Sequence, residues 1–154
     1  MLNGKQILIT GGTGSFGQQF TRTVLSRYPS IRKIVIFSRD TCKQAAMKEQ
    51  FKDSRLEFIA GDIALSADVR KACQNIDVIV HTAAMRIVPE AEAHPFECIR
   101  TNILGAQNLL DCAVQLHIPQ ILALSTDMAS SPHNVYGATK MLSDKLFIAA
   151  HHDH

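Results

Sequence analysis

Short apolar runs alternate along the chain with stretches whose apolar residues recur every three or four positions. Five of these runs are rich in Ile, Val, Leu or Phe and nearly continuous, as expected of strands that are buried on both faces of a sheet. They cover residues 6–10, 33–37, 56–60, 77–81 and 120–125. The pattern therefore predicts five parallel strands.

Helical spacing fills the intervals between these runs. Phe16, Phe20 and Val24 recur every four residues, and a longer helix is predicted from about Pro95 to His117. The predicted apolar side of that helix consists of Phe96, Ile99, Ile103, Leu110 and Ala113. Alternation of strand and helix predicts an α/β fold with a Rossmann-type, doubly wound parallel sheet. Right-handed crossovers with helices on both faces predict the strand order 3-2-1-4-5.

Length and composition narrow the class of protein. A chain of 154 residues fits one domain, and no repeat, low-complexity tract or linker divides residues 1–154. The formal net charge of +2 is too small to favour nucleic acid or a membrane surface as a partner. The first apolar run is too short for a signal peptide, and no segment approaches the roughly 20 apolar residues of a membrane span, so a cytoplasmic protein is expected.

Cysteines and histidines do not predict a metal site. The four cysteines are widely spread without a C-x-x-C pair, which favours buried, reduced thiols over disulfides or zinc ligands. The H-H-x-H pattern at residues 151–154 is better explained by a frayed carboxyl terminus than by a metal site.

The first predicted strand runs directly into the sequence TGGTGSFG. Gly11, Gly14 and Gly17 stand three residues apart between a strand and a helix. Glycines at this spacing permit a tight turn, approach of a pyrophosphate to backbone N–H groups, and close packing of the helix on the strand. Any tight strand-to-helix turn can use glycines, but the position at the first turn of a βαβ pattern favours a dinucleotide site.

The sequence after the second predicted strand bears on the choice of dinucleotide. Asp40 stands about 20 residues beyond the glycines, where an acidic residue would hold the ribose 2′-hydroxyl of NAD. Arg39 and Lys43 instead suit the 2′-phosphate of NADP; alternatively, Asp40 is a helix N-cap and the two cations are solvated. We predict NADP in preference to NAD. Asp62, after the third strand, either contacts the adenine amino group or forms a turn with Gly61.

Further motifs follow the glycine loop and together resemble the extended short-chain dehydrogenases/reductases. They are HTAA (81–84), TNILGAQN (101–108) and YGATK (136–140). The segments ILITGGTGSFG, RIVPEAEAHPFE and LSTDMASSPHNVYGATKMLSDKLF are similar to those of inverting 4,6-dehydratases. Those enzymes act on UDP-N-acetylglucosamine in bacterial surface-glycan biosynthesis. The resemblance covers essentially this whole chain but only about the first half of such an enzyme, the other half of which holds the UDP-sugar.

This resemblance also implies residue roles. Further cofactor contacts are implied for Thr13, Ser15, Phe16, Ser38, Ile63, Ala83 and Ala84. Contacts with a UDP-sugar substrate are implied for Arg86 and Asn102.

Tyr136 and Lys140 form the Y-x-x-x-K pair of this class. Oxidation at the sugar C4 requires removal of a hydroxyl proton as hydride leaves for the nicotinamide, and free tyrosine is a poor base at neutral pH. Lys140 lies one helical turn after Tyr136 on the same face, where its charge favours a tyrosinate. Thr126, or Ser125, is expected to hydrogen-bond the reacting oxygen. Y-x-x-x-K also occurs by chance on amphipathic helices, but its order after the glycine loop favours catalysis.

Residue 128 departs from the family pattern. After C4 oxidation, the family uses an adjacent Asp-Lys pair to remove the C5 proton and to protonate the departing C6 hydroxyl. Asp127 matches the aspartate, but Met128 occupies the lysine position, and a thioether cannot take a proton from carbon. Arg86 stands where the family usually has lysine and keeps the positive charge. We therefore expect a folded site without its C5 base.

Functions from two different classes remain open. The first is an NADP-dependent UDP-N-acetylhexosamine 4,6-dehydratase-type enzyme, impaired at Met128; the second is a non-catalytic nucleotide-binding or assembly module. A sugar-nucleotide 4-epimerase is a further possibility, because it uses Tyr136 and Lys140 but needs no C5 base. A homo-oligomer is also expected. The strand at 120–125 would present an open edge, and short-chain dehydrogenases commonly pair through the helices that begin at Pro95 and carry Tyr136.

Overall fold

The computed structural model describes residues 1–153, which form a parallel sheet with helices on both faces. The strands are β1 (Gln6–Thr10), β2 (Lys33–Ser38), β3 (Leu56–Ala60), β4 (Val78–His81) and β5 (Gln120–Ala123). Their order is β3-β2-β1-β4-β5 with every neighbouring pair parallel, which confirms the predicted fold class and strand order. The fifth strand is shorter than predicted because the chain leaves the sheet after Ala123.

The helices follow the strands in the alternation that the sequence predicts. They are α1 (Ser15–Arg27), α2 (Thr41–Phe51), α3 (Ser66–Ala72), α4 (Val88–Ala93), α5 (Pro95–Ile99), α6 (Gly105–Gln115) and α7 (Val135–Asp153). A π-helical turn, Arg100–Leu104, joins α5 to α6, and a 3₁₀ turn, Asp127–Ala129, lies between β5 and α7.

Side chains that alternate along the central strands supply two hydrophobic layers. Leu8 and Ile79 face one side of the sheet, where they pack with Leu109 of α6. Ile7 and Ile9 face the other side and pack with Val24 of α1. Because the central strands are buried on both faces, nearly every position along them is apolar, which is the pattern that predicted a parallel sheet.

The helix predicted from about Pro95 to His117 is present as contiguous helical turns from Pro95 to Gln115, but its predicted apolar stripe is wrong in part. The π-helical turn adds a residue to one turn and changes which face points inward, so Phe96 is 86% exposed and Ile99 is 39% exposed, whereas Leu110 is 7% exposed. The helix also ends at Gln115, because His117 adopts a left-handed φ of 53°. Only the α6 part of the predicted apolar stripe lies in the core.

The prediction of buried, reduced thiols is confirmed for three of the four cysteines. Cys73, Cys98 and Cys112 are buried free thiols as predicted, but Cys42 is exposed. Within residues 1–153, no helix has the length and apolar character needed to span a membrane. β5 is an edge strand of the sheet; the homo-oligomer expected from it stays a prediction. The H-H-x-H pattern includes His154, which lies outside the described residues.

Candidate cofactor and catalytic site

A cleft of about 810 Å³ lies at the carboxyl ends of the central strands. It lies where the strand order reverses between β1 and β4, the position at which doubly wound sheets bind ligands. The predicted residues that line it are Gly11, Thr13, Gly14, Ser15, Phe16, Gly17, Ser38, Arg39, Lys43, Ile63, Ala83, Ala84, Arg86, Tyr136 and Lys140. The predicted residues that lie outside this lining are Asp62, Asn102, Thr126 and Asp127.

Close backbone contacts require glycine at two positions of the loop after β1. Gly11 has a φ of +65°, and a Cβ atom there would lie 2.8 Å from the backbone of Ala83. A Cβ atom at Gly17 would lie 2.4 Å from the carbonyl oxygen of Gly12. Side chains at either position would push the loop away from β4 or lift α1 from the sheet. The fold itself therefore requires glycine at these positions, in addition to the predicted role in cofactor binding.

The amino terminus of α1 faces the same cleft. Gly14 is its N-cap residue in extended conformation, and the first turn contains no acidic side chain. The backbone N–H groups of a first helical turn and the helix dipole together attract an anion. Gly14, Ser15 and Phe16 line the cleft at this point. The loop and the helix terminus thus fit a pyrophosphate group.

The loop after β2 places two cations at one end of the cleft. Asp40 is the N-cap of α2: its carboxylate accepts from the Lys43 backbone N–H at 2.9 Å and pairs with Lys43 Nζ at 3.3 Å. The backbone hydrogen bond from Lys43 is the main reason that the pKa of Asp40 lies below its usual value. Arg39 pairs with Glu97 of α5, at 3.5 Å between Nη1 and Oε1. The N-cap alternative for Asp40 is therefore present, while Arg39 and Lys43 remain at the cleft.

Asp62 forms a turn, as the alternative interpretation expected. Its carboxylate accepts from the Ala64 backbone N–H at 2.9 Å, and its second oxygen lies 3.9 Å from Arg100 Nη2. The next residue, Ile63, is 4% exposed and lines the cleft. The adenine contact of Asp62 stays a prediction.

Lys140 is buried at the end of the cleft that Tyr136 and Ser125 also line. The side chain is 5% exposed, and Nζ donates to the carbonyl oxygen of Leu124 at 2.7 Å. Burial lowers the pKa of Lys140, and the carboxylate of Asp144 partly opposes this effect. Tyr136 precedes Lys140 by one turn of α7, so the two side chains share a helical face. The pair therefore lies where the sequence predicted it.

Ser125, rather than Thr126, lines the cleft beside this pair. The Thr126 hydroxyl instead donates to the carboxylate of Asp127 at 3.1 Å and accepts from the Met128 backbone N–H at 3.4 Å. The Ser125 hydroxyl donates to Asp144 of α7. Thr126 caps the short 3₁₀ turn, which explains why its hydroxyl faces its own neighbours. In this arrangement the hydroxyl at the cleft belongs to the residue that the sequence ranked second.

Asp127 and Met128 lie on that 3₁₀ turn, at the protein surface. Met128 is 44% exposed, and its thioether sulfur lies 4.0 Å from Asn134 Nδ2. Neither residue lines the cleft. A longer polar side chain at position 128 would meet solvent rather than the core.

Asn102 makes structural hydrogen bonds in this fold, and its predicted role as a substrate ligand stays a prediction. It lies in the π-helical turn and is 2% exposed. Its amide accepts from the Met85 N–H at 2.8 Å, and it donates to the Met85 carbonyl at 3.0 Å and to Thr139 Oγ1 at 3.0 Å. Thr139 in turn donates to the Tyr136 carbonyl. Asn102 thereby ties the loop after β4 to α7, and this leaves little capacity for a ligand.

Thr101 and His81 are among the cleft residues that were not predicted as site residues. Thr101 is 4% exposed and lines the cleft, and its hydroxyl oxygen has no hydrogen-bond partner among residues 1–153. A buried, unpaired hydroxyl is costly, so it fits a cleft that takes up a polar ligand or water. Thr101 lies within the quoted TNILGAQN motif, but nothing in the sequence distinguishes it from its neighbours. His81 ends β4, and its position at a strand end was the available signal.

His81 is held in the neutral form. Thr10 Oγ1 accepts from the backbone N–H groups of Thr82 and Ala83, so its own proton can be donated to His81 Nδ1, 2.8 Å away. The imidazole is 2% exposed and packs against Phe147 with ring centroids 5.5 Å apart. Burial lowers the pKa of His81 to about 3, and the charge of Lys140 adds to the effect.

Because His81 is neutral in the folded chain, we expect the chain to lose stability in acid. Unfolded His81 binds a proton below pH 6.5 while the folded imidazole stays neutral until about pH 3. The free energy of unfolding should therefore fall as pH decreases between these values, by up to about 1.4 kcal/mol per pH unit from this group. Urea denaturation measures the free energy of unfolding at pH 7 and at pH 5. The decrease in this free energy between the two pH values should be smaller for His81→Gln than for the unmodified chain. Equal differences in the two proteins would contradict this account.

The fold and the cleft together define a Rossmann-type domain of the short-chain dehydrogenase/reductase class. More narrowly, the chain belongs to the polysaccharide biosynthesis protein family, whose family model matches residues 7–154.

Relatives and a solved structure support this assignment. The chain is 48% identical over 150 residues to an inverting UDP-N-acetylglucosamine 4,6-dehydratase of Campylobacter jejuni, covering 97% of this chain and 45% of the relative. It is 42% identical to a UDP-glucose 4-epimerase of Rickettsia canadensis, covering 94% and 43%. A dTDP-glucose 4,6-dehydratase of Streptomyces venezuelae, solved with NAD bound, superposes with a TM-score of 0.85 at 28% identity, covering 96% and 52%. The chain thus spans about half the length of the proteins that it matches.

Proposed function

We propose that this chain supplies the cofactor-binding and proton-transfer part of an NADP-dependent UDP-N-acetylhexosamine 4,6-dehydratase-type enzyme of bacterial surface-glycan biosynthesis. The observation that carries the proposal is the single cleft that joins the glycine loop to Tyr136 and the buried Lys140. The identity of 48% to a UDP-N-acetylglucosamine 4,6-dehydratase supports the substrate class. Because the chain spans 45% of that relative, turnover is proposed for the whole protein.

Different groups of cleft residues would bind different parts of the cofactor. The backbone of the glycine loop and the first turn of α1 would hold the pyrophosphate, and Arg39 with Lys43 would hold a ribose 2′-phosphate. The unpaired Thr101 hydroxyl offers a further polar contact inside the cleft. The nicotinamide, when bound, supplies an acceptor for the hydride from the sugar C4.

Tyr136 and Lys140 perform the accompanying proton transfer. The Tyr136 phenolate oxygen takes the proton of the C4 hydroxyl, and the Lys140 ammonium stabilises the negative charge on the phenolate. Lys140 is held for this role by the Leu124 carbonyl. The Ser125 hydroxyl at the cleft, or Thr126 after a change of rotamer, supplies a hydrogen bond to the reacting oxygen.

Elimination requires a second pair of groups. Asp127 is the candidate acid that protonates the departing C6 hydroxyl, and Arg86, which lines the cleft, is a candidate contact for the UDP-sugar. The C5 proton needs a base that Met128 cannot provide. The proposed activity is therefore impaired at the elimination step rather than at C4 oxidation.

Met128 favours a second candidate function as well. A sugar-nucleotide 4-epimerase oxidises and reduces C4 without removing the C5 proton, so it needs Tyr136 and Lys140 but no base at position 128. Identity of 42% to a UDP-glucose 4-epimerase is consistent with that chemistry. A non-catalytic nucleotide-binding or assembly module is the third candidate.

Cofactor titration tests the core of the proposal. We expect the chain to bind NADP more tightly than NAD, and Arg39→Ala to weaken NADP binding by about tenfold, the scale of a lost hydrogen bond to a charged group. NAD lacks the 2′-phosphate, so its affinity should change little. Isothermal titration calorimetry with both cofactors measures the two affinities.

Arg32→Ala is the matched control for this titration. Arg32 is 62% exposed, close to the 56% of Arg39, and pairs with Asp77 at the opposite end of the sheet. Removal of its charge should leave both affinities unchanged. Equal affinities for NADP and NAD that Arg39→Ala does not alter would remove the 2′-phosphate assignment.

A further inference from the structure

Four charged side chains of alternating sign form a series that starts at Arg39, a residue of the cleft lining beside the proposed 2′-phosphate position. Arg39 Nη1 lies 3.5 Å from Glu97 Oε1, and the other Glu97 oxygen lies 3.9 Å from Arg100 Nη1. Arg100 Nη2 lies 3.9 Å from Asp62. The series joins the loop after β2 to α5 and then to the turn after β3.

Arg39 therefore has a carboxylate partner before any cofactor arrives. Glu97 lies 58 residues from Arg39 in the sequence, on the first turn of α5. Both side chains are partly exposed, at 56% and 38%, so the pair can open without unfolding the chain. Opening would leave the Glu97 carboxylate with Arg100 as a partner. The guanidinium can thus be transferred from Glu97 to another anion at small cost.

Resting on the proposed NADP site, we propose that Glu97 determines cofactor specificity by competing with the ribose 2′-phosphate for Arg39. A 2′-phosphate that reaches Arg39 displaces the carboxylate and also meets its negative charge, and both effects weaken NADP binding. NAD carries a neutral hydroxyl at this position and is affected less. Glu97 thus reduces the preference for NADP that Arg39 and Lys43 create.

Removal of the carboxylate tests this competition directly. Glu97→Gln keeps the size of the side chain and removes its charge, so NADP affinity should rise about threefold to fivefold, the upper end of the scale for a partly exposed charge pair. NAD affinity should change less than about twofold. The gain should shrink when ionic strength is raised, because exposed charges are screened. Isothermal titration calorimetry with NADP and NAD at two salt concentrations measures all three effects.

Glu57→Gln is the matched control, and Arg39→Ala completes a double-mutant cycle. Glu57 is 45% exposed and pairs with Lys33 on the strands β3 and β2, so its replacement makes the same change in net charge without altering the series of four. It should leave NADP affinity unchanged. In the Arg39→Ala background, Glu97→Gln should give a smaller gain than in the unmodified chain, because no guanidinium is left to compete for.

The possible results separate this inference from the proposed function. Weaker NADP binding by Glu97→Gln would mean that Glu97 positions Arg39 for the phosphate, and an equal gain with and without Arg39 would mean a general charge effect; either result overturns the competition. NADP binding that is insensitive to Glu97→Gln overturns it as well and leaves the proposed function standing. An unmodified chain that binds neither NADP nor NAD removes both.

Discussion

Met128→Lys is expected to accelerate sugar dehydration by about 10²–10⁴-fold, the usual contribution of a positioned proton-transfer group. The comparison requires a chimera in which residues 1–154 replace the matching segment of the Campylobacter jejuni dehydratase, which is 48% identical over 150 residues. A lysine at position 128, as the neutral amine, can remove the C5 proton, whereas the methionine thioether cannot. Formation of the 4-keto-6-deoxy sugar from UDP-N-acetylglucosamine, followed by anion-exchange chromatography and mass spectrometry, measures the rates.

The position of Met128 makes this substitution a clean test. Its side chain is 44% exposed on a surface 3₁₀ turn, so lysine should not disturb the core. Met128→Leu is the matched control, since it keeps an apolar side chain of similar volume and supplies no base; its rate should stay low. If the chimera with Met128 is as fast as the Met128→Lys form, residue 128 is not the C5 base. If the chimera with Met128 accumulates the C4 epimer instead, the epimerase alternative is favoured.

Gly11→Ala is expected to destabilise the chain by about 2–5 kcal/mol, combining left-handed backbone strain with overpacking. The φ of +65° disfavours any side chain, and the new Cβ atom would lie 2.8 Å from the backbone of Ala83. Because the backbone of the glycine loop moves with that contact, NADP binding should also be strongly weakened. Urea denaturation gives the stability change, and calorimetry gives the binding change.

Gly4→Ala separates the two causes. Gly4 has a similar φ of +73°, but a Cβ atom there meets no atom of residues 1–153 within 4 Å. Its replacement should therefore cost only the backbone strain, about 1–2 kcal/mol, and should leave cofactor binding intact. A stability loss at Gly11 no larger than that at Gly4 would show that the loop can move away from Ala83 at negligible cost.

The sheet could be predicted from the sequence because its signal is local and redundant. Ile7, Leu8 and Ile9 are all fully buried, so the strand reads as apolar at every position whichever face is considered. The glycine loop was predictable for a similar reason, since a missing Cβ atom is visible in the sequence itself.

The π-helical turn and the orientation of single polar side chains could not be predicted in this way. Asn102 has partners at Met85 and Thr139, which lie 17 and 37 residues away, and no local pattern encodes these contacts. Ser125 and Thr126 are adjacent hydroxyl residues, and the choice between them depends on where β5 ends and the 3₁₀ turn begins. Thr101 is recognisable only because its hydroxyl lacks a partner in the folded chain.

The hydrogen bond from Lys140 Nζ to the Leu124 carbonyl lowers the entropic cost of ligand binding. A free lysine side chain samples many rotamers, and fixing it costs about 1.5–2 kcal/mol at room temperature. In this fold that ordering occurs when α7 packs against the end of β5, before any sugar or dinucleotide arrives. A ligand that enters the cleft therefore finds the ammonium group already immobile, and its binding free energy is not reduced by the ordering of this side chain.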